Sequence, residues 1–211
     1  MKPRQLVRLF LVGLMVLFAL AFAPPAAVFA GQPVDPATLN PPPPPEFNPT
    51  CEAVGRGTIC HLAFTDPPIA EGTGIICGSG ASSYEVFMKA TRSVVGRRYY
   101  DRNRNLTQRH FREVLAGTFM NPLTHAAVSF DQGDTIIHDL AVAGAGDTGT
   151  ETVTGSIRLH LLHGGIVLID AGRTINAADG TLLTEAGQHP FAAYFVFGDT
   201  AALQPLCAAL M

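Results

Sequence analysis

Between Tyr84 and Phe197, apolar and polar residues alternate with a period of two, and short turn-forming clusters interrupt the alternation. Successive side chains of a β-strand point to opposite faces of the sheet, so this pattern is typical of strands with one buried face. The interrupting clusters are rich in Gly, Asn, Asp and Pro, which favour turns. The pattern predicts nine strands, over residues 84–91, 92–100, 106–119, 124–131, 135–143, 151–162, 166–177, 181–186 and 190–197.

Sequential strands with short connections favour antiparallel pairing. We therefore expect an all-β fold, in which a meander closes into an up-and-down barrel of about eight strands, with a β-sandwich as the alternative. Three-residue loops at 132–134, 163–165 and 178–180 would place one apolar face toward a shared interior. The expected cross-strand pairs are Leu161–Val167, Leu159–Ile169, Ile157–Ala171, Val153–Ile175, Phe130–Ile136, Val128–His138 and Ile175–Leu183.

The same pairing scheme places three ionisable side chains on the apolar face: His138, Arg173 and Glu113. Buried charges are costly unless they are paired, so the three residues are candidate ligand-binding groups in a barrel cavity. Each also has a purely structural interpretation. Arg173 would lie opposite Glu185 and form a salt bridge, and a single His on an apolar face is commonly a hydrogen-bonded core residue.

The first 30 residues have the pattern of a signal peptide. Lys2, Arg4 and Arg8 precede 15 uncharged residues, and small residues precede a cleavage point between Ala30 and Gly31. An uncleaved anchor is the alternative, but 15 helical residues span only about 22 Å of a hydrocarbon core of about 30 Å. We expect a secreted protein with no stable membrane span after processing.

Cleavage would leave 11 basic and 17 acidic side chains, a formal net charge of −6. This balance argues against a nucleic-acid partner. Seven of the 11 basic residues are arginines between Arg92 and Arg112, where they could form a local basic patch or simply a solvated hairpin.

Prolines dominate residues 31–50, which predicts an exposed, semi-rigid spacer. Residues 51–211 then form one domain of ordinary size. Its four cysteines, in an oxidising compartment, predict two disulfides. Of the three possible pairings, we favour Cys60–Cys77 and Cys51–Cys207.

The sequence has no recognisable cofactor motif. Metal binding is not expected, because the cysteines lack the C-x-x-C spacing of zinc sites and the residues after Asp101 lack the glycine and glutamate of a calcium loop. A G-x-S-x-G nucleophile motif and a phosphate-binding loop are also missing from the sequence.

Several short motifs make the chain similar to a group of small exported bacterial proteins of uncharacterised function. They are residues 74–80 (GIICGSG), 98–101 (RYYD), 110–113 (HFRE), 121–124 (NPLT), 134–140 (DTIIHDL), 187–191 (GQHPF) and 203–207 (LQPLC). The resemblance implies export and a common fold, and no activity. In strand number and hairpin order, the expected barrel is similar to lipocalin-like and allene-oxide-cyclase-like barrels, a likeness of architecture that does not determine function.

Three functional hypotheses follow. The first is a non-enzymatic binding barrel for a small, partly apolar ligand, which requires a cavity of a few hundred Å³. The second is an isomerase- or cyclase-type enzyme, which requires His138 and Glu113 to share a cavity as acid and base. The third is a cell-surface interaction protein that uses the outer face and the arginine-rich hairpin. The sequence does not determine the oligomeric state.

Overall fold

The computed structural model describes residues 31–211, so the predicted signal peptide lies outside the described part of the chain. The fold is all-β and antiparallel, with two short helices, α1 and α2, at the C-terminus. The strands are β1 Thr50–Val54, β2 Gly57–Thr65, β3 Ile69–Cys77, β4 Tyr84–Tyr100, β5 Leu106–Met120, β6 Ala127–Asp139, β7 Thr150–Leu161, β8 Ile166–Ala177 and β9 Leu182–Gln188. The helices are α1 Pro190–Phe197 and α2 Gln204–Ala209.

The nine strands form one sheet. Eight of them follow the order β1-β2-β4-β5-β6-β7-β8-β9, and β3 pairs with β4 outside this order. Strand β4 is long enough to serve two neighbours on the same edge: β3 pairs with its first half and β2 with its second half. No ladder joins β9 to β1 or β3 among residues 31–211, so the sheet is open and barrel closure is not confirmed.

Two of the predicted strand boundaries are wrong, because they divide continuous strands. Residues 84–100 form a single strand, and the expected turn at 132–134 is the middle of β6. Strand β6 is flanked on both sides, by β5 and β7, and these ladders satisfy its backbone groups without a turn. The pairs Phe130–Ile136 and Val128–His138 are therefore also wrong, since each pair lies within one strand.

The predicted strand at 190–197 is wrong as well, because this segment is α1. Pro190 occupies the first turn of the helix, where its fixed φ is favourable, and Gly198 ends it with a φ of 72°. These terminal signals outweigh the apolar composition that resembled a strand. The sequence prediction also omits β1, β2 and β3, which contain few alternating positions.

The hairpin between β7 and β8 differs from its predicted register by one residue. Leu159 pairs with Leu168 instead of Ile169, and Arg158 pairs with Ile169 instead of Asp170. A shift of one residue exchanges the two faces of a strand. Irregular pairing after Leu159 produces the shift, and Asp170 consequently faces the interior while Ile169 faces outward.

The same hairpin shift separates the other predicted pairs of β7 and β8. Val153 lies opposite Thr174, Ile157 lies opposite Asp170, and Leu161 lies beyond the last pair of the ladder. The turn at 178–180 exists, but a bulge beside Ile175 pairs this residue with Thr184 instead of Leu183.

All four cysteines form disulfides, but the favoured pairing is wrong. Cys51 bonds to Cys60, and Cys77 bonds to Cys207. Cys51 and Cys60 are direct partners across the β1–β2 hairpin, which the sequence prediction omits. The second disulfide connects the end of β3 to α2.

The proline-rich segment lies against the domain, which corrects its prediction as an exposed spacer. Its backbone hydrogen-bonds to Cys51 and Ala53 at one end and to Leu106 at the other. Leu39 is 4% exposed and packs with Cys60 in a small apolar cluster. Prolines cannot donate to a ladder, so the segment is attached through its non-proline residues instead.

The larger core lies on one face of the sheet, which we call the inner face. Strands β3 to β7 contribute Ile75, Val86, Phe119, Val128 and Leu159, among others. Three leucines from the C-terminal segment are fully buried against them: Leu203, Leu206 and Leu210. The C-terminal helical segment therefore completes the core over the open part of the sheet.

Candidate ligand-binding cavity

A cavity of about 440 Å³ lies on the inner face, between the strands and α1. Part of its wall is aromatic: the rings of Phe119 and Phe130 stack at 4.6 Å between centroids, and Phe191 lies 6.3 Å from Phe119. The exposed side chains of Glu71 and Phe195 also contribute to the lining and mark the solvent side. The cavity is therefore apolar at its base and accessible to solvent.

Helix α1 covers the cavity and is attached on two sides. On one side, the Asp170 carboxylate of β8 accepts a hydrogen bond from the backbone N–H of Phe191 at 3.0 Å. On the other side, the Tyr194 hydroxyl accepts from the N–H of Ile76 in β3 at 2.9 Å and lies 3.5 Å from the carbonyl of Gly74. These bonds position α1 between β8 and β3.

A row of inner-face residues crosses three strands beside the cavity. Glu113 of β5 lies directly opposite Asp134 of β6, and Asp134 lies opposite Gly155 of β7. A Cβ at Gly155 would overlap the Asp134 carboxylate and lie 2.8 Å from the Asp134 Cα. The glycine therefore provides the space that the Asp134 side chain occupies.

Glu113 is neutralised by an arginine from the neighbouring strand. Its carboxylate lies 2.7 Å from Arg92 Nη2, and Arg92 Nη1 lies 2.9 Å from Asp66. The hydrogen bond to Glu113 is the main reason why the pKa of Arg92 is raised. Because Glu113 is only 15% exposed, this pairing removes the cost of an isolated buried charge.

Asp134 lines the cavity and has no cationic partner among residues 31–211. Burial raises its pKa, and the nearby charges of Glu113 and Asp170 add to the effect, while a hydrogen bond from the Gln132 amide opposes it. Its carboxylate is therefore an unpaired acidic group of the cavity wall that is free to interact with a ligand.

His189 and Asp170 form a second polar pair in the cavity wall. His189 Nδ1 lies 3.1 Å from the Asp170 carboxylate, and Nε2 lies 3.2 Å from the carbonyl of Ala186. Both partners are acceptors, and the two contacts fix the orientation of the ring. The pair holds the start of α1, because Asp170 also accepts a hydrogen bond from the backbone N–H of Phe191.

The three predicted site residues are not brought together. Glu113 lies on the inner face but is paired with Arg92, and neither Glu113 nor His138 lines the cavity. His138 is on the inner face four residues along β6 from Asp134, about 13 Å away. Its Nε2 hydrogen-bonds to the carbonyl of Thr148 at 3.0 Å.

Arg173 is exposed on the outer face, opposite Ala186, so its predicted inward position and its pairing with Glu185 are both wrong. The one-residue shift of the β7–β8 hairpin is the physical reason for the outward position, and the bulge beside Ile175 is the reason for the changed partner. The shift also explains why the sequence prediction missed Asp170, which takes the inward position instead.

The sequence prediction missed Asp134 and His189 for different reasons. The predicted turn at 132–134 includes Asp134. If the alternation is continued from Phe130 through Gln132, it places Asp134 on the inner face instead. His189 precedes Pro190, and this dipeptide was assigned to a strand boundary; the proline was the available signal for a helix start.

The arginine-rich hairpin does not present one basic surface. Arg92 points inward to its two carboxylates, and Arg98 and Arg109 lie opposite each other, also on the inner side of the β4–β5 ladder. Arg97 and Arg112 are the exposed arginines on the outer face of these strands. The alternation of strand side chains divides the charge between two faces.

Comparison with known proteins finds no matching family model, no matching curated protein and no matching solved structure. Within residues 31–211, no group of three or more His, Cys, Asp and Glu side chains is arranged to hold a metal ion. In the same part of the chain, none of the helices combines the length and apolar composition needed to cross a membrane.

Proposed function

We propose that this protein is an exported binding protein that holds a small, partly apolar molecule in the cavity beneath α1. The main observation in support of the proposal is the cavity. Its volume of about 440 Å³ falls within the range of about 300–1,000 Å³ that is usual for small-molecule sites. Its lining combines apolar and aromatic side chains with polar groups, as is usual for such sites.

The geometry favours binding over catalysis. An enzyme of the isomerase or cyclase type would need an acid and a base within reach of one substrate. His138 and Glu113 lie far apart along the sheet, and His189 and Asp170 use their polar atoms to position α1. The enzyme hypothesis therefore stays a prediction without support from the cavity.

Export is part of the proposal. The two disulfides are consistent with an extracellular protein, since such bonds persist in oxidising compartments. The signal peptide over residues 1–30 would direct the chain there. In a closed barrel, pairing of the first and last strands encloses the interior. In this open sheet, α1 would enclose it instead, by covering the side between β8 and β3.

Binding of the neutral fluorophore N-phenyl-1-naphthylamine to the mature protein tests the proposal. Val153 lines the cavity, so Val153→Trp should fill part of it and weaken binding at least about tenfold, because a buried ligand cannot overlap core atoms. Val114→Trp is the matched control, since Val114 is 43% exposed on the outer face.

Equal binding by wild type and Val153→Trp, with both variants folded by circular dichroism, would contradict the proposal. Native mass spectrometry of secreted protein should also detect a bound small molecule that is lost in Val153→Trp and retained in Val114→Trp.

A further inference from the structure

We propose that the ligand is a cationic amine, whose ammonium group binds Asp134 and whose apolar body lies against the phenylalanines of the cavity. This inference rests on the proposed function and adds the chemical class of the ligand.

Asp134 differs from Glu113 and Asp170, whose charges act on it, in having no cationic partner; Glu71 is also unpaired, but it is exposed on the solvent side. Glu113 is paired with Arg92, and Asp170 is bonded to His189 and to the N–H of Phe191. Asp134 has only the Gln132 amide as a hydrogen-bond donor among the described residues. A partly buried carboxylate without a cation is unfavourable by itself, and an ammonium group would remove this cost.

The other charges of the cavity favour a cation over an anion. Glu71, Asp134 and Asp170 line the cavity, and no Lys or Arg of the described chain does so. A carboxylate or phosphate ligand would therefore meet like charges, with no Lys or Arg in the lining to balance its own charge. This excludes fatty acids as the preferred class and distinguishes the cavity from one that merely binds apolar molecules.

The aromatic rings lie at a suitable distance for the apolar part of such an amine. Phe130 and Asp134 face the same side of β6 and are four residues apart, which corresponds to about 13 Å. Phe119 stacks on Phe130, so the rings form a flat surface at that end. A ligand that spans both groups needs an ammonium group separated from a ring by a short alkyl chain.

Three probes of nearly equal shape separate the charge from the apolar contribution: 4-phenylbutylamine, 4-phenyl-1-butanol and 4-phenylbutyrate. With wild-type protein at pH 7, calorimetry should show the amine binding at least about 10-fold more tightly than the alcohol, because the ammonium group adds an attraction between opposite charges to the hydrogen bond that a hydroxyl can also donate. The butyrate should bind most weakly.

In Asp134→Asn, the preference for the amine over the alcohol should fall to about twofold or less, whereas the affinity for the alcohol should be nearly unchanged. Asp131→Asn is the matched control. Asp131 is on the same strand but on the outer face, with its side chain 58% exposed, so this substitution should keep the amine preference.

The outcomes are distinguishable. If the alcohol binds and the amine is not preferred, or if Asp134→Asn keeps the preference, the inference about the amine is overturned and the binding function stands. If none of the three probes binds at millimolar concentration, both the inference and the proposed function are overturned.

Discussion

The two disulfides should contribute unequally to stability, because they close loops of very different length. Cys77 and Cys207 are separated by 130 residues, and Cys51 and Cys60 by 9 residues. The loop-entropy relation assigns about 5 kcal/mol to the longer loop and about 3 kcal/mol to the shorter one. Replacing both cysteines of a pair with Ala should therefore cost about 2 kcal/mol more for Cys77–Cys207.

The packing cost of the two replacements is well matched. The exposed fractions are 8% and 0% for Cys51 and Cys60, and 2% and 9% for Cys77 and Cys207. Each double variant thus removes one buried and one nearly buried sulfur. The difference between the variants should then report the loop length and little else.

Urea unfolding monitored by circular dichroism measures this difference. With a slope of about 2 kcal/mol/M for a domain of this size, the midpoint of the Cys77/Cys207 variant should lie about 1 M below that of the Cys51/Cys60 variant. The variant should still fold, because Leu203 and Leu206 remain buried in the core and keep the C-terminal segment docked. Equal midpoints, or a reversed order, would refute the loop-entropy reasoning for this fold.

Three further predictions concern the inner face. Gly155→Ala should destabilise the domain by about 1–3 kcal/mol in a thermal unfolding assay, because the added Cβ would overlap the neighbouring strand. Gly133→Ala is the control and should be neutral or slightly stabilising, since no atom lies within 4 Å of the added Cβ. Arg92→Gln should lower the free energy of unfolding by about 1–3 kcal/mol, because it leaves two carboxylates unpaired. Arg97→Gln removes an exposed outer-face arginine and should change the free energy of unfolding by less than about 0.5 kcal/mol. Equal losses in the urea midpoints of the two variants would contradict a stabilising role for the Arg92 ion pairs. The pKa of Asp134 is raised in the folded protein, so its ionisation opposes folding. Asp134→Asn should therefore have a higher melting temperature than wild type at neutral pH. This difference in melting temperature should disappear as the pH falls through the folded pKa toward 3.8.

The period-two alternation was sufficient to predict most of the sheet. Strands β5, β7, β8 and β9 lie close to their predicted positions, because the alternation of apolar side chains is a local property of a strand with one buried face. Glycine-containing segments were interpreted less well. The glycine at 133 lies within a strand, whereas Gly164 and Gly165 both have positive φ and form a true turn.

The cavity was predicted as a feature, but its residues were not. The predicted turn at 132–134 includes Asp134, so the prediction gives this residue no inward position. Asp170 and Arg173 lie on the faces opposite to those predicted, because of the irregular pairing near Leu159. A pairing shift of this kind costs little locally and leaves the composition of the strand unchanged. The sequence therefore contains no local signal that distinguishes the two registers.

The sequence by itself determined the fold class, the antiparallel order of the later strands and the oxidation of all four cysteines, since each depends on local periodicity or on residue count. Only the tertiary structure decided which cysteines pair, which side of β8 faces inward and where α1 lies. These features depend on contacts between distant segments, such as Cys77 with Cys207 and Tyr194 with Ile76. The free energy of these contacts comes from packing and backbone hydrogen bonding across the whole sheet, which no single stretch of sequence specifies.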